Sequence, residues 1–234
     1  MKKYEDAYRF HLTDRLPLVI RVDGKSFHTY TAKLNRNDSY FISAMNNVAL
    51  SLCAGIMGAK FAYVQSDEVS VLVDPWVTPN SQAWFSNNLN KIVSVSASIA
   101  SSVMTAESAS IFGVIKPACF DSRAFIIPPN EIINYFIWRQ QDAVRNSVRT
   151  LGNMYYSNSE LNCLSNNKLL SKLESEKGVI WDEQATRFKY GACAIPQSLT
   201  VLMENEPILR KKWVIDENIP HFVTNRDYIE SLSK

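Results

Sequence analysis

Three carboxylates stand where the chain is expected to change direction. Asp23 begins an Asp23-Gly24 turn signal after the apolar run Leu16–Val22, and Asp67 and Glu68 lie between two alternating runs, Phe61–Gln65 and Val69–Val73. Asp, Gly and Ser are ordinary turn residues, so each string alone reads as a solvated turn. Together they support more. If the flanking segments are adjacent strands, the three acids converge on one rim of a sheet, and like charges so placed are costly unless a cation neutralises them. Mg²⁺ prefers oxygen ligands and leaves its other positions to water and substrate phosphates. Two such ions about 3.5–4 Å apart clamp the attacking and leaving oxygens of a phosphoryl transfer. Arg21 shares a strand face with Asp23, and Lys25 and Ser26 follow it. A mixed acidic and basic rim of this kind suits a triphosphate with its metals.

A second constellation lies further on. Arg139, Asp142, Asn146 and Arg149 are spaced 3, 4 and 3 and form one stripe on a helix, for which the plainest reading is a solvated face with i,i+3 ion pairs. Ile133, Phe136, Ile137 and Trp138 are expected on the packed side. Arg210-Lys211-Lys212-Trp213 could touch an RNA backbone or stack on a base, although a surface cluster is the simpler reading. His28 reads as a half-buried packing histidine, and Cys119 and Cys193 as core.

The elements that must position these residues follow from periodicity. Leu16–Val22 is expected as a buried strand. Asp38–Met57 has helical spacing of Phe41, Met45, Val48, Ala49 and Leu52, with Asp38 or Ser39 as N-cap. The runs on either side of Ser66-Asp67-Glu68 make a tight hairpin. A long Ala- and Ser-rich helix is predicted from Gln82 to about Ser108, and a strand over Ala118–Ile127 stopped by Pro128-Pro129. Another long helix runs from Asn130 to about Tyr155. Residues 158–183 are polar with one short helix, Lys168–Lys177, and extended pieces lie near Cys193–Met203 and Lys212–Ile215. The order βαββαβ over residues 1–128 is that of a ferredoxin-like antiparallel sheet, an α+β fold flanked by long helices. Residues 129–234 form a helical and mixed region packed on it, and 1–234 can count as one domain.

Composition narrows the function classes. The 234 residues carry 25 Lys+Arg against 23 Asp+Glu, a net charge of +2, so nucleic acid would have to be held by a local patch rather than bulk charge. Seven glycines form neither G-x-G-x-x-G nor a Walker loop. Four cysteines and three histidines are too dispersed for a zinc site. The charged start lacks an apolar signal region, and the serines and Glu107 of residues 92–114 argue against a membrane span. The expectation is a reduced, cytoplasmic protein without membrane contact.

Four strings occur in order: R-V-D-G-K-S-F-H (21–28), A-Y-V-Q-S-D-E-V-S (62–70), F-D-S-R (120–123) and W-R-Q-Q-D-A-V-R-N-S (138–147). Together they resemble the histidine-tRNA guanylyltransferase superfamily, the 3′-to-5′ nucleotide polymerases, over about residues 4–228. Lys189-Tyr190-Gly191 resembles a further family element. The resemblance implies a polymerase-type palm, with Asp23, Asp67 and Glu68 as catalytic ligands of two Mg²⁺ ions aided by the backbone of Gly24. It implies that Arg21, Lys25, Ser26, Phe27, His28, Ser66 and Lys91 surround a nucleotide. By the same matching Arg123, Arg145, Asn146 and Lys189 meet phosphate or RNA, and Asp142 helps organise the long helix. The implied chemistry is activation of a tRNA 5′-monophosphate by ATP, then attack by the 3′-hydroxyl of GTP or another nucleoside triphosphate with release of AMP. The implied partners are tRNA or tRNA-like RNA and further copies of the chain in a homotetramer.

Two departures bear on the branch. Where eukaryotic members carry His-Ile-Asn-Asn, this chain has Val144-Arg145-Asn146-Ser147, and the Q-Q-D-A-x-R-N-S string is similar to the bacterial and archaeal guanylyltransferase-like branch. That branch is associated with template-directed repair of truncated tRNA 5′ ends. Asn35-Arg36-Asn37-Asp38 replaces a basic residue followed by proline, leaving Arg36 or Lys33 to substitute. Templated repair is therefore expected first and dedicated guanosine addition to histidine tRNA second. A catalytically inactive palm that binds RNA or nucleotide is the reading from another class. A nucleotide cyclase shares the palm but not the later motifs.

Overall fold

A computed structural model describes residues 1–34, 38–203 and 206–234, the side chains of 199–209 excepted. After a short helix α1 (Lys2–Asp6), the elements are β1 (Leu18–Gly24), α2 (Phe27–Tyr30), α3 (Ser39–Gly55), β2 (Ala59–Gln65), β3 (Glu68–Val73), α4 (Leu89–Phe112) and β4 (Phe120–Ile126). There follow α5 (Ile132–Tyr155), α6 (Asn158–Leu161), α7 (Asn166–Lys177), α8 (Thr186–Tyr190), β5 (Ala192–Met203), β6 (Glu206–Asp216) and α9 (Arg226–Ser233). The strands form one sheet in the order β4-β1-β3-β2-β5-β6, so the expected βαββαβ unit is present and is extended by a C-terminal hairpin. β5 pairs with β2 through Ala62–Ala194, Tyr63–Cys193 and Val64–Ala192, which joins the C-terminal hairpin to the same sheet.

Side-chain alternation divides the sheet into two unlike faces. Ile20, Val22, Ala62, Val64, Val69, Val71 and Val73 pack beneath α3 and α4 with Met45, Leu52, Ile92 and Met104. Val19, Phe61, Tyr63, Leu72 and Cys193 face α5 and the C-terminal segment through Phe136, Ile137, Phe222 and Ile229. A satellite cluster of Val148, Leu151, Leu169 and Leu173 holds α7 against α5. α3 is capped as expected, with Asp38 accepting from the amide of Phe41 at 2.9 Å.

Several expectations change. The helix predicted from Gln82 begins at Leu89, because Phe85, Ser86 and Asn87 take left-handed backbone angles (φ 51, 49 and 58°) and Asn88 caps the helix. Non-local contacts hold that turn: Asn87 donates to Asp14 at 2.7 Å and His11 meets the carbonyl of Ser86 at 2.9 Å. α4 is long and apolar enough to cross a membrane by length and composition, but Ile92, Ser96, Ala100, Met104 and Ser108 face the sheet at helical spacing. Cys119 is exposed rather than core, whereas Cys193 is buried as expected. Trp138 is not on the packed side; it is 48% exposed, with the Arg139 guanidinium 4.4 Å from its ring centre.

Candidate active site

β1 and β3 are antiparallel neighbours, and their register sets Asp23 directly opposite Glu68 at one end of the sheet. The turn Ser66-Asp67 joins β2 to β3 at that same end, with Ser66 at φ 48°. The amide of Gly24 donates to the carbonyl of Asp67 at 3.1 Å, tying the two turns together. Gly24 itself is required by close approach: a Cβ there would lie 2.3 Å from the Phe27 ring. Phe27 is buried against Tyr30, Phe41 and Phe120, so it supports the rim from below instead of facing solvent.

Asp23 and Asp67 are held above the usual carboxylate range. For Asp23 the causes are burial and then the charge of Asp121, partly offset by Arg21, Arg123 and Arg139. For Asp67 burial dominates, opposed by a backbone hydrogen bond and reinforced by Asp23 and Glu68. Burial first and neighbouring carboxylates second therefore disfavour the ionised form of both acids.

Glu68 is placed differently. Both its oxygens accept from Arg139, at 2.8 and 2.6 Å, and this fork is buried, with Glu68 6% and Arg139 5% exposed. Arg21 stands 4.0 Å from the same carboxylate with its Nε buried and without a hydrogen-bond partner. Arg139 also reaches Asp142 at 3.0 Å, and Asp142 accepts from Arg145 at 3.0 Å. The stripe on α5 is thus no solvated face at its start: it turns inward and grips β3. Below it, Ser70 and Tyr135 share a hydrogen bond of 2.9 Å.

Asp121 was not singled out from the sequence, yet it pairs in register with Asp23, and Arg123 pairs with Arg21. Asp121 and Arg123 lie two residues apart on an expected strand, so a period of two already places both on the carboxylate face. Arg123 donates to Asp121 at 3.1 Å in the open. Lys25, Ser26 and His28 are exposed beside the rim, so His28 is not the half-buried packing histidine expected.

Two expected contacts stand apart. Lys91 is in the first turn of α4, against the ring of Phe85. α4 packs on the opposite face and approaches the rim beyond its first turn, where Ser96 shares a hydrogen bond with Ser122 and Ser101 and Thr105 accept from the amides of Phe120 and Ala118. Lys189 donates to the carbonyl of Asp182 between the rings of Trp181 and Tyr190. Arg36 lies outside the described residues.

Beside the Ser66-Asp67 turn opens a half-open cavity of about 120 Å³, lined by Asp38, Phe41, Gln65, Ser66, Asn146, Arg187 and Phe188 among others. Its mixture of apolar walls and a few polar groups suits a nucleoside. Ser66 is expected near a nucleotide and Asn146 at phosphate or RNA; Gln65, although within the 62–70 string, and Arg187 were not singled out.

A palm-type sheet with an acidic rim, cationic flanks and an adjoining cavity of this kind defines the class as a nucleotidyltransferase. Residues 1–128 match the family model described as tRNAHis guanylyltransferase, and the chain belongs to that family. A bacterial tRNAHis guanylyltransferase-like protein solved with ATP is 36% identical, with a TM-score of 0.90, covering 100% of this chain and 97% of that one. A second such bacterial structure, solved with GTP, is 34% identical with a TM-score of 0.81, over 100% and 96% of the two chains. A probable tRNA(His) guanylyltransferase of Dictyostelium discoideum is 33% identical over 157 residues, which is 62% of this chain and 59% of that protein.

Proposed function

We propose that this chain is an Mg²⁺-dependent 3′-to-5′ RNA nucleotidyltransferase that activates a tRNA 5′-monophosphate with ATP and adds nucleotides templated by the opposite strand. The observation that carries the reading is the meeting of Asp23 and Asp67 on one sheet rim, through turns tied by the Gly24–Asp67 hydrogen bond, next to a cavity that begins at Ser66. The bacterial relatives similar over the whole chain were solved with ATP and with GTP, which supports nucleoside triphosphates as substrates.

The donor set fits divalent cations. Asp23 and Asp67 offer carboxylate oxygens on one rim, and the Gly24 backbone adjoins both. Glu68, committed to Arg139, is assigned here to holding the rim together. When bound, the ions would neutralise charge on the reacting phosphates and favour the attacking oxygen. Arg21, Arg123 and Lys25 would meet the phosphates from the flanks. The cavity would fix the activating nucleoside, and positioning would supply much of the remaining rate. Base pairing with the RNA would select the nucleotide that is added.

The test uses purified protein, Mg²⁺ and ATP with two 5′-monophosphorylated tRNAs, one lacking its first nucleotide and one full-length histidine tRNA. Each is given the four nucleotides separately, beside an Asp67→Ala control. Extension of the truncated RNA only by the complementary nucleotide is expected. Guanosine addition to the full-length tRNA opposite a non-pairing base would replace templated repair with dedicated guanosine addition. No Asp67-dependent extension of either would leave a binding module.

A further inference from the structure

Arg187 is a cation the proposed chemistry leaves unused. It sits half-buried on α8, and desolvation of its guanidinium is the chief cause that disfavours its charge there. Among the described residues its hydrogen bond is to the Asn46 side-chain oxygen at 3.2 Å, and its Nε is buried with no acceptor. A guanidinium offers five donors, and buried donors left unmatched are uncommon enough to require an explanation.

Its surroundings supply one. Arg187 lines the cavity beside Ser66 and also a second cavity with Asn46, Ser43 and Glu217. The Asn46 amide nitrogen donates to Glu217 at 2.9 Å, which fixes the amide so that its oxygen faces Arg187. α3, α8 and the segment after β6 thus hold the guanidinium in one orientation before any ligand arrives. The cavity walls around it include Phe41, Ile42, Ala143 and Phe188, apolar groups suited to the faces of a base. A fixed donor in an apolar slot discriminates strongly, because a ligand without the matching acceptor leaves a buried polar group unpaired.

We propose that Arg187 recognises the base of the activating nucleotide, donating from its guanidinium to a ring nitrogen of a purine seated in this cavity. The inference rests on the reading above, in which templating selects the added nucleotide and leaves the activating nucleotide to be recognised by protein groups alone. Adenine accepts at both N1 and N7, guanine of these two only at N7 because its N1 carries hydrogen, and the single ring of a pyrimidine has no counterpart of N7.

Equilibrium binding of ATP, 1-deaza-ATP, 7-deaza-ATP and UTP to the wild-type protein and to Arg187→Met tests this, with melting curves to establish that the variant folds. ATP is expected to bind the variant about 10- to 100-fold more weakly, a loss of about 1.4–2.7 kcal/mol. One deaza analogue is expected to bind the wild type as weakly as ATP binds the variant, and to be indifferent to the substitution. In steady state, the variant should raise the KM for ATP in activation while extending pre-adenylylated RNA at the wild-type rate, a split that general loss of structure would not give. A folded variant with wild-type ATP affinity overturns the proposal. Should Arg187→Met not fold, wild-type affinity for both deaza analogues equal to that for ATP overturns it. Arg187-dependent ATP binding without any transfer to RNA would instead remove the function proposed above and leave this assignment standing.

Discussion

The two faces of the central strands are made from alternate residues of the same segments, yet they do opposite work. Beneath α3 and α4, the odd partners of β3 are Val69, Val71 and Val73, all but wholly buried. On the other face Glu68 and Ser70 meet Arg139 and Tyr135 of α5. The first face gains stability from apolar area, at roughly 25 cal/mol per Å². The second contains charges whose desolvation offsets what their attraction returns. A four-stranded unit can carry an acidic rim because its other side is so plainly apolar.

The sharpest way to break this contrast is Asp67→Asn. RNA extension should fall at least about 10³-fold, the scale of losing a group that stabilises transition-state charge. Stability should move the other way. Folding raises the pKa of Asp67, so its ionisation disfavours the folded state: the penalty is absent below the unfolded-state pKa, grows as pH rises towards the folded-state pKa and is constant above it. Metal-free Asp67→Asn should therefore melt above wild type at pH 7 and converge with it near pH 3, as read by calorimetry.

Arg139→Leu comes next. It strands Glu68 without its partner, and breaking a buried pair from one side costs about 3–5 kcal/mol. At about 2–4 °C per kcal/mol for a chain of this size the melting point should drop by roughly 6–20 °C. Arg139→Leu with Glu68→Leu should recover most of that, while activity stays low if Glu68 holds the rim. On the apolar face, Leu52→Ala should cost about 2–5 kcal/mol in denaturant titration and leave activity per folded molecule unchanged at temperatures well below melting. The smallest effect is expected from Asn88→Ala, which removes the cap of α4 for about 1 kcal/mol and no change in catalysis.

Much of the palm was legible because period-two runs and turn residues are local signals. Asp23, Asp67 and Glu68 could be set on one rim from strand order alone. What escaped depends on partners far along the chain. Arg139 reads as a surface charge until its fork with Glu68, 71 residues away, is seen. The late start of α4 depends on Asn87 finding Asp14, 73 residues earlier. Arg187 sits on a five-residue helix with no periodic pattern to mark it, and only the cavity and its unpaired Nε draw attention to it. Trp138 is expected on the packed side of its helix, but its ring lies against a guanidinium at the surface.

The pairing of β2 with β5 carries a consequence for the nascent chain. Ala62, Tyr63 and Val64 receive their outer partners only when Ala192–Ala194 have been made. At about 5–20 residues per second, that interval lasts on the order of ten seconds. Throughout it, a strand destined for the middle of the sheet is an open apolar edge, the kind that templates association with other chains. Synthesis of this protein therefore passes through a window in which its own unfinished sheet is its main hazard, and faster translation of residues 66–194 would shorten it.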